Sequence, residues 1–128
     1  MPVDLNMPIL VAEDYMAMQN ILCSLLKEFG FTDLTRALDG AEALEQAHDR
    51  SIRLVIADWH MKPMSGFELL KKMRATKPFQ SVPFIMISGD AKADNILAAK
   101  EAGVNGFLIK PFTPTAFRAK LVSVIGKF

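Results

Sequence analysis

Two apolar rhythms take turns along this chain. Short continuous apolar runs stand at Ile9-Leu10-Val11-Ala12, Leu54-Val55-Ile56-Ala57, Val82 to Ile87 and Gly106-Phe107-Leu108-Ile109. Runs of this length predict strands buried on both faces, as a parallel sheet between two helical layers requires. A weaker, more polar run from Leu34 to Leu38 predicts an edge strand. Between the runs, apolar residues fall at helical spacing. Ile21, Leu22, Leu25, Leu26 and Phe29 predict the core face of a helix stopped by Gly30. Ala41, Ala43, Leu44 and Ala47 give a small-residue helix after a turn at Asp39-Gly40. Phe67 to Met73 predicts a helix capped by Ser65, and Ile96 to Ala102 one ended by Gly103. Phe117, Leu121, Val124, Ile125 and Phe128 share one face of a closing helix.

Five strands alternating with five helices predict an α/β fold, a doubly wound three-layer sandwich with a parallel sheet and right-handed crossovers. No repeat, linker or low-complexity segment interrupts the pattern. The expectation is one domain over residues 1–128, its core about 8–127.

Composition narrows the function classes. At 128 residues and 51% hydrophobic, the chain can bury a core without disulfide staples. Its single cysteine, Cys23, allows no internal disulfide, which fits a reducing cytoplasm. A net charge of +1 offers no basic stripe to release counterions from nucleic acid. No signal peptide opens the chain, and no apolar run approaches the roughly 20 residues needed to cross a bilayer. The expectation is a cytoplasmic protein with neither nucleic acid nor membrane as partner.

The chemistry lies at the strand exits. Glu13 and Asp14 follow the first strand, Asp58 the third, Ser88 the fourth and Lys110 the fifth. In a parallel sheet these exits share one edge, where open α/β folds bind ligands. Crowded carboxylates repel, each pair by ~3 kcal/mol at ~5 Å and an effective dielectric of ~20. A cation relieves this, and an all-oxygen donor set without a His or Cys cluster selects a hard ion such as Mg²⁺. Acids, metal, hydroxyl and ammonium together suit a phosphoryl group, with Asp58 best placed to attack phosphorus. Taken singly, each residue has a plainer reading. Glu13 and Asp14 serve equally well as helix caps, Ser88 as a turn residue, and Lys110 as a surface charge. Chance placement of all five at one edge is the weaker explanation.

The ordered set resembles the receiver domain of two-component response regulators, and within that family the single-domain chemotaxis regulators of the CheY type. It comprises Glu13-Asp14, Asp39-Gly40-Ala41-Glu42-Ala43-Leu44, Asp58-Trp59-His60-Met61, Met64-Ser65-Gly66, Ser88, Ala102-Gly103-Val104-Asn105-Gly106 and Lys110-Pro111-Phe112-Thr113. The resemblance implies a flavodoxin-like sheet of strand order 2-1-3-4-5. It makes Asp58 the phosphoacceptor and Mg²⁺ the cofactor, bound by Asp14, Asp58 and the backbone carbonyl of His60, with Glu13 helping through water. Lys110, before a cis Pro111, contacts the phosphoryl group. Ser88 follows that group inward and Phe107 turns in behind it, changing the fourth helix–fifth strand–fifth helix face. His60 and Asp90 stand at positions that tune the phosphoryl lifetime.

The implied partners are a histidine kinase as phosphodonor and a downstream protein, with the flagellar motor switch favoured for a monomer that ends after its fifth helix. Such a protein catalyses its own phosphorylation and dephosphorylation and is not a conventional enzyme. The sequence departs from the family where Lys62 replaces a usual proline and Pro63 comes one later. Ser65 stands where an acid is common, and Phe107 lacks a hydroxyl. Alternative readings are a phosphate sink, a phosphorelay shuttle or a kinase modulator. The displaced proline and His60 also leave open a receiver that no longer phosphorylates and works as an interaction module. A phosphatase would require turnover of a phosphomonoester. Lys71, Lys72, Arg74 and Lys77 read as a solvated helix face, and the eight methionines as core filler.

Overall fold

The computed structural model describes residues 3–90 and 92–128. Five strands, β1 (Ile9–Ala12), β2 (Leu34–Ala37), β3 (Leu54–Asp58), β4 (Phe84–Ser88) and β5 (Gly106–Ile109), alternate with five helices. The helices are α1 (Met16–Glu28), α2 (Gly40–Asp49), α3 (Gly66–Arg74), α4 (Ala93–Glu101) and α5 (Pro114–Ile125). A short 3₁₀ turn, Lys77–Phe79, follows α3. The sheet is wholly parallel in the order β2-β1-β3-β4-β5.

Side chains alternate across a strand, so each central strand feeds two cores. Ile9, Val11, Leu54, Ile56, Ile85 and Ile87 point to one side, against Leu22, Cys23 and Leu26 of α1 and Phe117 and Leu121 of α5. Leu10, Ala12, Val55, Ala57, Phe84 and Met86 point to the other, against Ala43 and Ala47 of α2 and Leu69, Leu70 and Met73 of α3. Every residue of β1, β3 and β4 is buried. β2 alternates instead, with Thr35 and Ala37 buried and Arg36 exposed, as an edge strand permits.

Several local expectations change. Ile21 is exposed, and the core face of α1 runs through Gln19, Leu22, Cys23 and Leu26. The helix is rotated so that a polar side chain takes part of the space assigned to Ile21. The turn predicted at Asp39-Gly40 is the start of α2, with Asp39 as N-cap and Gly40 as first residue. The Asp39 carboxylate accepts from the N–H groups of Ala41 and Glu42 at 2.7 and 3.0 Å. Neither Glu13 nor Asp14 caps α1, whose N-cap is Tyr15 with no side-chain cap bond. Ser65 does cap α3, in a reciprocal box with Glu68. Both Lys62–Pro63 and Lys110–Pro111 are cis.

Arg74 is not part of a solvated face. Its guanidinium donates to the carbonyls of Gly103 and Phe79 at 3.0 and 2.9 Å and to Asn105 Oδ1 at 2.9 Å. Asn105 Oδ1 also accepts from the Phe84 N–H, so the cluster ties the end of α3 to the start of β4 and the loop before β5. Burial lowers the Arg74 pKa from its usual value. Arg74→Met removes the donors, leaving the Gly103 carbonyl without its partner and the Phe79 carbonyl and Asn105 Oδ1 with one remaining donor each. It is expected to cost about 2 kcal/mol, read as a lower urea midpoint at unchanged slope.

Candidate functional site

Parallel pairing sets the site. Ala12 lies opposite Ala57 and Asp58 opposite Ile87, so β1, β3 and β4 deliver their next residues to a common edge. Asp58 closes β3, Ser88 closes β4, and Lys110 follows β5. One carboxylate oxygen each from Glu13, Asp14 and Asp58 lie within 4.8 Å of one another. Glu13 and Asp58 are buried whereas Asp14 is exposed, so the cluster opens to solvent on the Asp14 side.

Lys110 provides the countercharge. Its Nζ lies 2.6 Å from Asp58 Oδ1 and 3.1 Å from Glu13 Oε1. Asp58 Oδ2 accepts from the His60 N–H at 2.9 Å. Oδ1 is buried and takes no aligned hydrogen bond among the described residues. The ammonium beside it gives charge but not the geometry of a bond.

Burial pushes the Glu13 carboxyl above its ordinary 4.5 and the charge of Asp58 pushes it further, against the pull of Lys110. Burial alone would lower Lys110, but Asp58 and Glu13 more than offset it, and its pKa rises above 10.5. The Lys110 contribution to stability is therefore present at neutral pH and is lost as pH climbs through that raised value, whereas the raised Glu13 carboxyl is ionised at neutral pH at a cost.

Three carboxylates face one ammonium, which leaves the cluster short of positive charge. The donors are hard oxygens, and the buried Oδ1 lacks an aligned partner. A divalent oxygen-seeking cation fits this set. Lys110→Met keeps the side-chain stem and removes the charge, leaving two buried acids without a countercharge. The metal-free protein is expected to lose about 2–3 kcal/mol. Mg²⁺ is expected to restore more stability to the variant than it adds to wild type, as thermal unfolding in chelator and in magnesium will show.

The remaining expected residues sit close by in different states. The Ser88 hydroxyl is buried but turned to its own loop, accepting from the Asp90 N–H at 3.0 Å and donating to the Asp90 carbonyl at 3.4 Å. The Asp90 carboxylate accepts from the Lys92 N–H and the Asn95 amide, at 3.1 and 3.0 Å, so it is engaged at the entry to α4. His60 is exposed and helps line an open cleft with Asp14, Trp59, Met61, Lys62 and Ser65. Phe107 is half-buried, 6.3 Å from the Trp59 ring. Trp59 in turn stacks on Phe67 at 4.9 Å with an interplanar angle of 4°.

Gln19 is a buried site neighbour that the sequence pattern hides. Its side-chain amide donates to the backbone carbonyls of Glu13 and Ala37, at 3.2 and 2.8 Å. A glutamine between Met18 and Asn20 looks like any polar helix position. Only the docking of α1 turns it inward.

A five-stranded parallel sheet thus gathers paired acids, an aspartate and a lysine at its carboxyl edge. The family model for the response regulator receiver domain matches residues 9–122. The chain belongs to that family. Among its members the chain is similar to the chemotaxis protein CheY of Pseudomonas aeruginosa, 36% identical over 118 residues, 92% of this chain and 95% of that protein. It is also similar to chemotaxis protein CheY-3 of Vibrio cholerae, 39% identical over 91% of this chain and 89% of that one. The structure of Vibrio cholerae CheY4 superposes with a TM-score of 0.87 at 27% identity, covering 93% of this chain and 98% of that one. The receiver domain of a Pseudomonas aeruginosa sensor histidine kinase, solved with a magnesium ion in its active site cleft, shares the fold at a TM-score of 0.85 and 24% identity. That match covers 95% of this chain and 99% of the other. This chain is a CheY-like receiver. No helix among its described residues is long and apolar enough to cross a membrane.

Proposed function

We propose that this receiver accepts a phosphoryl group from a histidine kinase onto Asp58 and passes the signal by protein binding, in chemotaxis at the flagellar motor switch. The observation that carries this reading is the buried Asp58 carboxylate, in contact with Lys110 and clustered with Glu13 and Asp14. The core, about residues 8–127, acts as one receiver domain. The carboxylates of Glu13, Asp14 and Asp58 would hold Mg²⁺, with the His60 backbone carbonyl as a further oxygen donor. When bound, Mg²⁺ supplies positive charge for the phosphoryl oxygens.

Asp58 Oδ2 is held by the His60 N–H, and Oδ1, paired with the Lys110 ammonium, is the attacking oxygen. It forms the new bond to phosphorus as the P–N bond of the donor phosphohistidine breaks. The leaving imidazole keeps the bonding electrons and takes a proton from solvent. Lys110 pairs with Asp58 at rest and turns its ammonium to the phosphoryl oxygens as the carboxylate becomes an acyl phosphate. Water later attacks phosphorus, releasing phosphate and returning the carboxylate. His60 and Asp90 flank this water's approach and tune the lifetime.

Ser88 reports the event. Its hydroxyl must leave Asp90 to donate to the phosphoryl group, and this releases the loop into α4. Phe107 then moves toward the space vacated beside Ser88, and the cleft lined by Ile96, Val104, Phe107, Ile109, Lys100 and Lys120 changes shape. An apolar groove edged by lysines suits a helical peptide with acidic residues beside its apolar anchors.

Trp59, next to Asp58 and half-buried, supplies the test. Its fluorescence should change on Mg²⁺ titration and change again on adding beryllofluoride, a phosphoryl mimic. Metal binding without any response to the mimic or to acetyl phosphate would point to an inert interaction module.

A further inference from the structure

We infer that Gln19 is a positioning residue for the metal-binding acids, acting through the Glu13–Asp14 peptide; this rests on the carboxylate cluster being the Mg²⁺ site. The β1–β2 ladder ends with Ala12 opposite Ala37, and the Glu13 N–H still reaches the Ala37 carbonyl at 3.0 Å. One residue further on, the chain leaves the sheet. There the Gln19 amide nitrogen, on the first turns of α1, donates both to that Ala37 carbonyl and to the Glu13 carbonyl, at 2.8 and 3.2 Å. Gln19 is 1% exposed, so water does not compete for these bonds.

The Glu13 carbonyl and the Asp14 N–H belong to one rigid peptide plane. Holding that oxygen against β2 fixes the direction in which Asp14 departs. Asp14 needs this more than its neighbours do. The Glu13 carboxylate is anchored by Lys110 and by the Tyr15 N–H at 3.3 Å, and Asp58 lies in a buried strand and accepts from the His60 N–H. Asp14 is exposed, and none of the side-chain hydrogen bonds among the described residues involves its carboxylate. Its place in the cluster is set by its backbone, and the outer tie on that backbone is Gln19.

The test is Mg²⁺ affinity by calorimetry on the full chain, with urea unfolding in chelator run beside it. Gln19→Met keeps the length and apolar fit of the side chain and removes the donor. It is expected to weaken Mg²⁺ binding by about 10-fold, as loss of a group that orients a metal ligand does. Leu26→Ala, on the buried face of the same helix but away from the loop, is the control for general destabilisation. It should lower stability and leave the Mg²⁺ affinity at the wild-type value. Should the methionine variant unfold, Gln19→Ala replaces it, since alanine suits a helix. An unchanged affinity in the Gln19 variant, or an equal loss in Leu26→Ala, would show that Gln19 only fills and satisfies the core. Wild-type protein that binds no Mg²⁺ would overturn the metal site itself and this inference with it.

Discussion

Asp58→Asn is expected to abolish phosphorylation while leaving the fold intact. A carboxamide matches the carboxylate in shape, so Asn can still accept from the His60 N–H. Its oxygen is neutral and a poor nucleophile. Incubated with acetyl phosphate and Mg²⁺, wild type should gain the mass of one phosphoryl group and the variant none. The stability change should stay within about 1 kcal/mol, because two effects oppose. The 2.6 Å pairing with Lys110 is lost, but the repulsion between Asp58 and Glu13 is lost as well. Lys110 retains Glu13 as a partner at 3.1 Å. Burial first, and then the charge of Asp58, holds the Glu13 pKa above 4.5, so neutralising Asp58 should bring it partway down. Carboxyl NMR titration will read that shift. Wild-type levels of labelling in Asp58→Asn would place the acceptor elsewhere.

Gly66→Ala is expected to be the most damaging single methyl in the chain. A Cβ at residue 66 would run into the Asp58 carbonyl oxygen, and would lie 3.0 Å from the Asp58 carbonyl carbon and from Met86 Sδ. The thioether can swing away, but the β3 backbone cannot, because Asp58 is its last paired residue. The Gly66 N–H also donates to the Trp59 carbonyl at 3.0 Å, which pins the start of α3 to the same stretch. Relief therefore means displacing either α3 or Asp58, the proposed phosphoacceptor. The expected cost is about 3 kcal/mol, the upper part of the usual range for overpacking, or a fall of roughly 10 °C in Tm. Phosphorylation by acetyl phosphate should slow in the fraction that still folds. A variant with wild-type Tm and labelling rate would mean that the loop has slack which the packing around Gly66 does not show.

The two substitutions probe different things the sequence says. Asp58 is legible because of what precedes it. Leu54 to Ala57 is apolar on every residue, which only a strand buried on both faces explains, and a charged residue placed after such a strand stands at the sheet edge. The same reasoning reaches Glu13, Ser88 and Lys110, each set after an apolar run. Gly66 follows no apolar run and enters only through the Met64-Ser65-Gly66 piece of the family resemblance. A glycine after Ser65 looks like ordinary turn punctuation, and its contact with a carbonyl eight positions earlier exists only once the β3–α3 loop is folded back.

Ile21 and Arg74 depart from their sequence patterns for one reason. A helical stripe predicts Ile21 in the core, and neighbouring lysines predict Arg74 in solvent. Periodicity locates a face, but its rotation against the sheet depends on the other layers. α1 turns Gln19 and Cys23 inward at the expense of Ile21. The Arg74 side chain is long enough to leave its helix and collect acceptors from Phe79, Gly103 and Asn105, none of them predictable from neighbouring residues.

The sequence alone is enough for the layered fold and for the five polar residues at its carboxyl edge. These depend on local periodicity and on the rule that parallel strands all exit at one end. Tertiary structure alone decided how those residues pair. Lys110 meets Asp58 and Glu13 across 52 and 97 residues of chain, while Ser88 turns instead to the backbone of Asp90. The physical reason is range. Helix and strand are set by nearest neighbours in sequence, whereas the directions of a buried charge and its hydrogen bonds are set by whatever the fold brings alongside.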